Sequence, residues 1–148
     1  MMGPVLFEGG RHCDGRGAVR YVNDFKVAAA ERFYLISPAH AGEWRGWVGH
    51  RRDRKWFFAA AGDFVVCVVS LEELENSRPL RPLLFRLSDQ ESRLLEVPTG
   101  FATAIQARVA ASSLLVFSTG RIESAAEDML RYPLGDVAQW AVAAGAES

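Results

Sequence analysis

The sequence predicts an all-β protein, a sandwich or barrel of short strands. Three observations predict it. First, about nine or ten short runs of β-favouring residues follow one another at close spacing, with little helix between them. Second, Glu43–Leu71 reads as three consecutive strands, Trp44–His50, Lys55–Ala61 and Phe64–Val69, separated by Arg51–Arg54 and by Gly62 with Asp63. Third, Phe64–Val69 is apolar on both faces and too short for a helix, the pattern of a strand covered on both sides.

The elements follow in order. Val5-Leu6-Phe7 opens as a brief strand, which Gly9 and Gly10 end. Arg11–Gly17 is a turn-rich loop by composition. Ala18–Val22 is an edge strand, and Asn23 with Asp24 turns the chain. Glu31–Ile36 is a strand in which Arg32, Tyr34 and Ile36 share a face by the two-residue period. Ser37–Gly42 is a loop. After the central stretch, Ser70 is placed as a helix N-cap with Glu73 at the third position, and Ser77-Arg78-Pro79 stops that helix. Leu83–Leu87 and Leu94–Val97 are strands, followed by a tight Pro98-Thr99-Gly100 turn. Phe101–Ala107 and Ser113–Ser118 are the last clear strands. Ser124–Leu130 forms a helical turn or two, Leu134–Trp140 docks loosely, and Ala141–Ser148 frays.

The totals narrow the function classes. A chain of 148 residues is expected to form one domain with its own core. A net charge of -1 gives no global pull toward nucleic acid or a membrane surface. Cys13 and Cys67 are too few for a disulfide framework, and Cys67 reads as a small buried apolar residue. No apolar run has the length of a membrane span, and no charged segment precedes an apolar one at the start, so a cytoplasmic location is expected. There is no G-x-S-x-G, no phosphate-binding P-loop and no cysteine pair at zinc spacing.

Four pieces of the chain carry a resemblance. Asp14-Gly15-Arg16-Gly17 is similar to a D-x-R-G opening, and Arg32-Phe33-Tyr34 to an R-x-Y strand. Arg45-Gly46-Trp47-Val48-Gly49-His50, with Lys55 and Gly62 beyond, is similar to R-G-x-H-x-H…K…G. Val97-Pro98-Thr99-Gly100-Phe101-Ala102 is similar to an I-P-x-G-F-A turn. In this order they resemble the cupin family of nucleotide-sugar 3,5-epimerases and 3,4-ketoisomerases, relatives of dTDP-4-dehydrorhamnose 3,5-epimerase and of the WxcM-like ketoisomerases. The resemblance implies an RmlC-like jelly-roll barrel over residues 1–148, its core at about 5–120, with 121–148 a short helical tail packed on the barrel. It also implies a homodimer acting on a dTDP-linked 4-keto-6-deoxy sugar, without a metal or other cofactor, in surface polysaccharide biosynthesis. Three positions depart from the pattern: Val48 stands where the family has its first histidine, Thr103 where a histidine follows the turn, and Phe117 near the family's acidic tyrosine.

The candidate catalytic residues are His50 and Lys55. An imidazole can take a proton from a carbon beside a ketone, and an ammonium can stabilise the resulting enolate. Arg16, Arg32 and Arg45 offer bidentate donors for a diphosphate. Tyr34 can hydrogen-bond the sugar, and Trp47 can stack on a ring, although a strand tryptophan more commonly packs in a core. Arg51, Arg52 and Arg54 are expected to be a solvated turn. Histidines and carboxylates do not converge in a metal pattern, since His12 and His40 fall in loops. Two other readings stand beside catalysis. One is a barrel that binds a sugar or nucleotide-sugar without turning it over, which Val48, Thr103 and Phe117 favour. The other is a structural partner in a polysaccharide-assembly complex.

Overall fold

The computed structural model describes residues 3–76 and 79–143. Its strands are β1 (Val5–Glu8), β2 (Gly10–Asp14), β3 (Gly17–Tyr21), β4 (Arg32–Ile36), β5 (Trp44–His50) and β6 (Lys55–Ala61). They continue as β7 (Asp63–Ser70), β8 (Leu83–Ser88), β9 (Arg93–Val97), β10 (Phe101–Ala107), β11 (Ser113–Ser118) and β12 (Leu130–Arg131). Among the described residues there are three short α-helices, α1 (Leu71–Glu75), α2 (Ala125–Asp128) and α3 (Val137–Ala143), and two 3-10 turns, Val27–Ala29 and Ile122–Ser124. Two antiparallel sheets form the body, in the orders β1-β9-β6-β11-β4 and β12-β5-β10-β7-β8. Strands adjacent in sequence but lying in opposite sheets, such as β5 and β6, give the crossing connections of a jelly roll.

β7 shows why both its faces are apolar. Phe64, Val66 and Val68 point between the sheets, where they join Phe57, Leu87, Leu95, Leu114 and Val116 in the main core. Val65, Cys67 and Val69 point the other way, into a second cluster with Trp47, Ala102, Ala104 and Trp140. Burial raises the Cys67 thiol to about 12, so it behaves as an apolar side chain. The expected cap is formed at α1, where the Ser70 hydroxyl accepts the Glu73 backbone N–H at 3.1 Å. The expected Ser77-Arg78-Pro79 stop falls in part on 77 and 78, outside the described residues.

The structure corrects three expectations. Arg11–Gly17 is not a loop: β2 and β3 form a hairpin with Arg11 opposite Arg20 and Asp14 opposite Gly17. Its side chains are mostly exposed and polar, so no alternation marks it as strand. Arg20 pins this hairpin to the barrel by donating to the carbonyls of Ala59 and Ser88 at 2.8 and 3.2 Å and lying over the Phe58 ring. The segment after β11 contributes a strand, β12, that adds to β5 with Leu130 opposite Gly49. The residues that follow dock closely rather than loosely. Trp140 is buried, packed edge-on against Trp44 at 5.0 Å and tilted against Trp47 at 4.8 Å, and its indole N–H donates to the Leu134 carbonyl. Ala141 is buried in the same cluster, while 144–148 lie outside the described residues.

Among the described residues, no helix is long and apolar enough to cross a membrane.

Candidate active site

A cavity of about 490 Å³ opens between the two sheets at the end where β5 turns into β6. One sheet supplies Arg32, Tyr34 and Ile36 from β4, Lys55 and Phe57 from β6 and Val97 from β9. The other supplies Arg45, Val48 and His50 from β5 with Phe101, Thr103 and Ile105 from β10. Ile122, Ala125, Met129 and Arg131 close one side of the mouth.

The alternation of β5 is broken, and the break decides what faces the cavity. Thr103 pairs with Val48, whereas Ile105 pairs with Arg45, so two residues of β5 oppose the single Ala104. Gly46 makes this bulge possible: its φ is +137°, and a Cβ there would lie 2.5 Å from the Thr103 carbonyl oxygen. Strict alternation would set Arg45 on the face opposite Val48 and His50. The bulge brings all three to the cavity and leaves Trp44 and Trp47 on the far side, against Trp140.

At the closed end the charged groups meet. The Lys55 ammonium donates to the Tyr34 hydroxyl at 3.1 Å and lies 3.9 Å from Oδ2 of Asp53. His50 Nδ1 faces carboxylate oxygens of Asp128 at 3.7 Å and Asp53 at 3.9 Å, leaving Nε2 for a ligand. Burial lowers the His50 imidazole below its ordinary value, and the Lys55 charge lowers it further, against the pull of Asp53 and Asp128. Burial, with Arg32 nearby, brings Lys55 down to about 8. Burial raises the Tyr34 phenol despite Arg32. Arg32 lies over the Tyr34 ring at 4.9 Å and donates to the Gly120 carbonyl at 3.1 Å. At neutral pH the closed end thus holds an uncharged imidazole, a charged ammonium and a protonated phenol.

Two carboxylates complete the cluster, and the sequence reading missed both. Asp53 sits inside a run of arginines, which reads as a solvated turn. Arg51, Arg52 and Arg54 are indeed exposed, but Asp53 is turned inward and buried. Asp128 comes from α2, far along the chain and outside any motif. Its carboxylate accepts the backbone N–H groups of Arg51, Arg52 and Asp53 at 2.9–3.2 Å, and so caps the turn that carries His50. Burial pushes Asp128 up, but these donors and the imidazole outweigh it and leave it below the usual carboxylate range. The ligand atoms of His50, Asp53 and Asp128 lie within 4.8 Å of one another, a spacing that could hold a metal ion. Their present partners, backbone donors on Asp128 and an ammonium beside Asp53, suit a charge cluster better.

Of the candidate residues, the cavity gathers Arg32, Tyr34, Arg45, His50 and Lys55. Arg16 is not among them. It stands on the hairpin turn between β2 and β3, exposed and bonded to the Asp14 carboxylate at 2.8 Å. Trp47 is not a ligand contact either: as the neighbour of Val48 it points to the other face of the sheet, fully buried in the second core cluster. Phe117 also needs correcting as a site position. It faces outward with Phe25 and Phe33, so its missing hydroxyl takes nothing from the cavity, where Tyr34 is the phenol. Val48 and Thr103 do face the cavity and line its wall without an imidazole.

No family model matches the sequence, and no curated protein matches it. Solved structures do. QdtA, a sugar 3,4-ketoisomerase from Thermoanaerobacterium thermosaccharolyticum solved with TDP, is 16% identical with a TM-score of 0.69, over 88% of each chain. ChmJ, a 3'-monoepimerase from Streptomyces bikiniensis solved with dTDP-quinovose, is 16% identical with a TM-score of 0.73, over 89% of this chain and 71% of the other. The dTDP-4-dehydrorhamnose 3,5-epimerase of Bacillus anthracis is 18% identical with a TM-score of 0.73, over 92% and 82%. The chain therefore has the RmlC-like cupin jelly-roll fold that the sequence led us to expect.

Proposed function

We propose that this chain is a nucleotide-sugar isomerase or epimerase acting on a dTDP-linked 4-keto-6-deoxyhexose, in the cytoplasm, in the making of a surface polysaccharide. One observation carries the reading. A buried neutral imidazole from one sheet and an ammonium–phenol pair from the other converge in a single cavity that Arg32 and Arg45 also line. That set matches the demands of proton transfer beside a ketone. His50 removes the proton from the adjacent carbon, and the electron pair moves into the enolate. Lys55 balances the new charge on oxygen. Tyr34, held by Lys55 on the opposite sheet, can deliver a proton to another atom of the enolate, with His50 as the return donor for the same face. The outcome is a shifted ketone or inversion at one carbon. Arg32 and Arg45 suit the diphosphate as planar, permanently charged donors. The likeness to proteins solved with TDP and with dTDP-quinovose supports this ligand class.

The test is solvent exchange. The protein is incubated in heavy water with a dTDP-4-keto-6-deoxy sugar, and deuterium uptake at the carbons flanking the ketone is followed by NMR. Enzyme-dependent uptake supports the reading. Tight binding without uptake supports the second reading, a sugar-binding barrel without turnover, which Val48 and Thr103 in the cavity wall favour.

The rate should follow a bell in pH. The imidazole must be neutral, and burial lets it stay so below the ordinary histidine value, which sets the acid limb. The ammonium must stay protonated, so activity falls as pH rises through about 8. A rate still climbing above pH 9 would remove Lys55 from the mechanism.

A homodimer is part of the same proposal. β4 is an edge strand, and its outward Phe33 and Leu35 are 65% and 58% exposed, a pairing surface for a second copy. Light scattering should report about twice the 16.3 kDa chain mass, falling to one chain mass in Phe33→Glu with Leu35→Glu. A wild-type chain already at one mass would refute it.

A further inference from the structure

The cluster at the closed end holds one carboxylate whose place the proton-transfer scheme leaves unassigned. Asp53 Oδ2 lies 3.9 Å from His50 Nδ1 and 3.9 Å from Lys55 Nζ. The Ser118 hydroxyl, at the end of β11, donates to the same oxygen at 3.5 Å, and that hydroxyl in turn accepts the Gly120 N–H at 3.0 Å. The backbone of Gly120 presses on the carboxylate so closely that an added Cβ would lie 2.1 Å from Oδ2. Asp53 is thus fixed from behind by β11 and the loop after it, with its free side toward the two groups that would do the chemistry. The other charged or titratable groups facing this end are Asp128 from α2 and Arg32 and Tyr34 from β4.

We propose that Asp53 is a positioning residue, a counterion standing within 4 Å of both His50 and Lys55, so that charge on one is set by charge on the other. This rests on the reading of the site as a proton-transfer centre. In the resting site His50 is neutral and Asp53 balances Lys55. When His50 takes the proton from carbon, the proton resides on the imidazole and the electron pair on the enolate oxygen, and Asp53 takes no part in the transfer. Its charge then divides between imidazolium and ammonium. Lys55 is left more strongly bound to the enolate oxygen, and the base is held charged until it returns the proton. One carboxylate between two cations therefore links base and oxyanion partner in a single step.

Asp53→Asn tests this, because it keeps size and the bond to Ser118 while removing the charge. Two positions are read: the NMR titration midpoint of the His50 imidazole without ligand, and the alkaline limb of the exchange rate. Both should move to lower pH by roughly one unit, since an opposite charge at this range favours the protonated form of each group. The rate constant at saturating substrate should fall about tenfold or more, with KM little changed. A structural role alone would lower the melting temperature and leave both positions where they are. A folded Asp53→Asn protein with the wild-type His50 midpoint overturns the proposal. If that variant does not fold, Ser118→Ala, which loosens the carboxylate, should shift the His50 midpoint in the same direction by a smaller amount, and no shift there also overturns it. If the wild-type protein shows no exchange at all, the functional reading fails, and the ligand-free midpoint still decides the role of Asp53.

Discussion

His50→Asn should cut enzyme-dependent deuterium uptake by about 10²–10⁴-fold, the range a positioned general base contributes. His50 is the one imidazole in the cavity, since Val48 and Thr103 occupy the other two family positions. No second histidine can take over, because His12 and His40 are exposed and away from the cavity lining. Asparagine keeps a polar edge beside Asp53 and Asp128, and the backbone N–H groups that Asp128 accepts are untouched, so the turn should survive and nucleotide-sugar affinity should stay near wild type. The measurement is the exchange rate beside a binding isotherm for the same ligand. Uptake at the wild-type rate with affinity intact would move the base elsewhere and end the role assigned to His50. Loss of both binding and uptake would mean that the imidazole serves to hold the sugar rather than to move a proton.

Trp47→Ala should be among the most destabilising single changes, at about 3–5 kcal/mol, with a melting temperature lower by roughly 10 °C. Trp47 is fully buried, and its ring packs on Trp140 beside Cys67, Ala102 and Ala104. Truncation would leave a hole between the second sheet and α3 that neither rigid strand can collapse to fill. The companion Trp47→Phe isolates the cause. Among the described residues the Trp47 indole N–H has no hydrogen-bond partner, so Phe keeps most of the ring contact and loses no such bond. Thermal denaturation of the pair checks this. A Trp47→Ala protein as stable as wild type would show that the tryptophan cluster contributes little to holding α3.

The strands that build the cavity were readable because they are regular and apolar. Trp44–His50, Lys55–Ala61, Phe101–Ala107 and Ser113–Ser118 have the bounds that hydrophobic pattern and glycine punctuation give them. The face shared by Arg32, Tyr34 and Ile36 followed from period two alone. What escaped has physical reasons. β3 bears out the edge strand expected at Ala18–Val22, but its partner β2 is wet on most of its surface and so carries no alternation. β12 is a two-residue addition whose existence depends on an available edge of β5, a tertiary fact. The bulge at Gly46 reverses the parity of β5 ahead of it, which is why Arg45 reaches the cavity with Val48 and His50, whereas Trp47, the neighbour of Val48, is core. Asp53 and Asp128 gain meaning only once a turn and a distant helix are brought together. A charge run with one acid inside it was the sole available signal, and it pointed to solvent.

The carboxylate of Asp128 reaches back to the peptide groups that follow His50. The long barrel strands are made by Ser118, yet the corner that would handle the proton is finished by residues made later. A nascent chain that has produced β1 to β11 has therefore produced most of a receptacle but not its working end. The same dependence means that trimming after the last long strand would unseat the loop beneath the imidazole, as well as stripping β12 from the edge of β5.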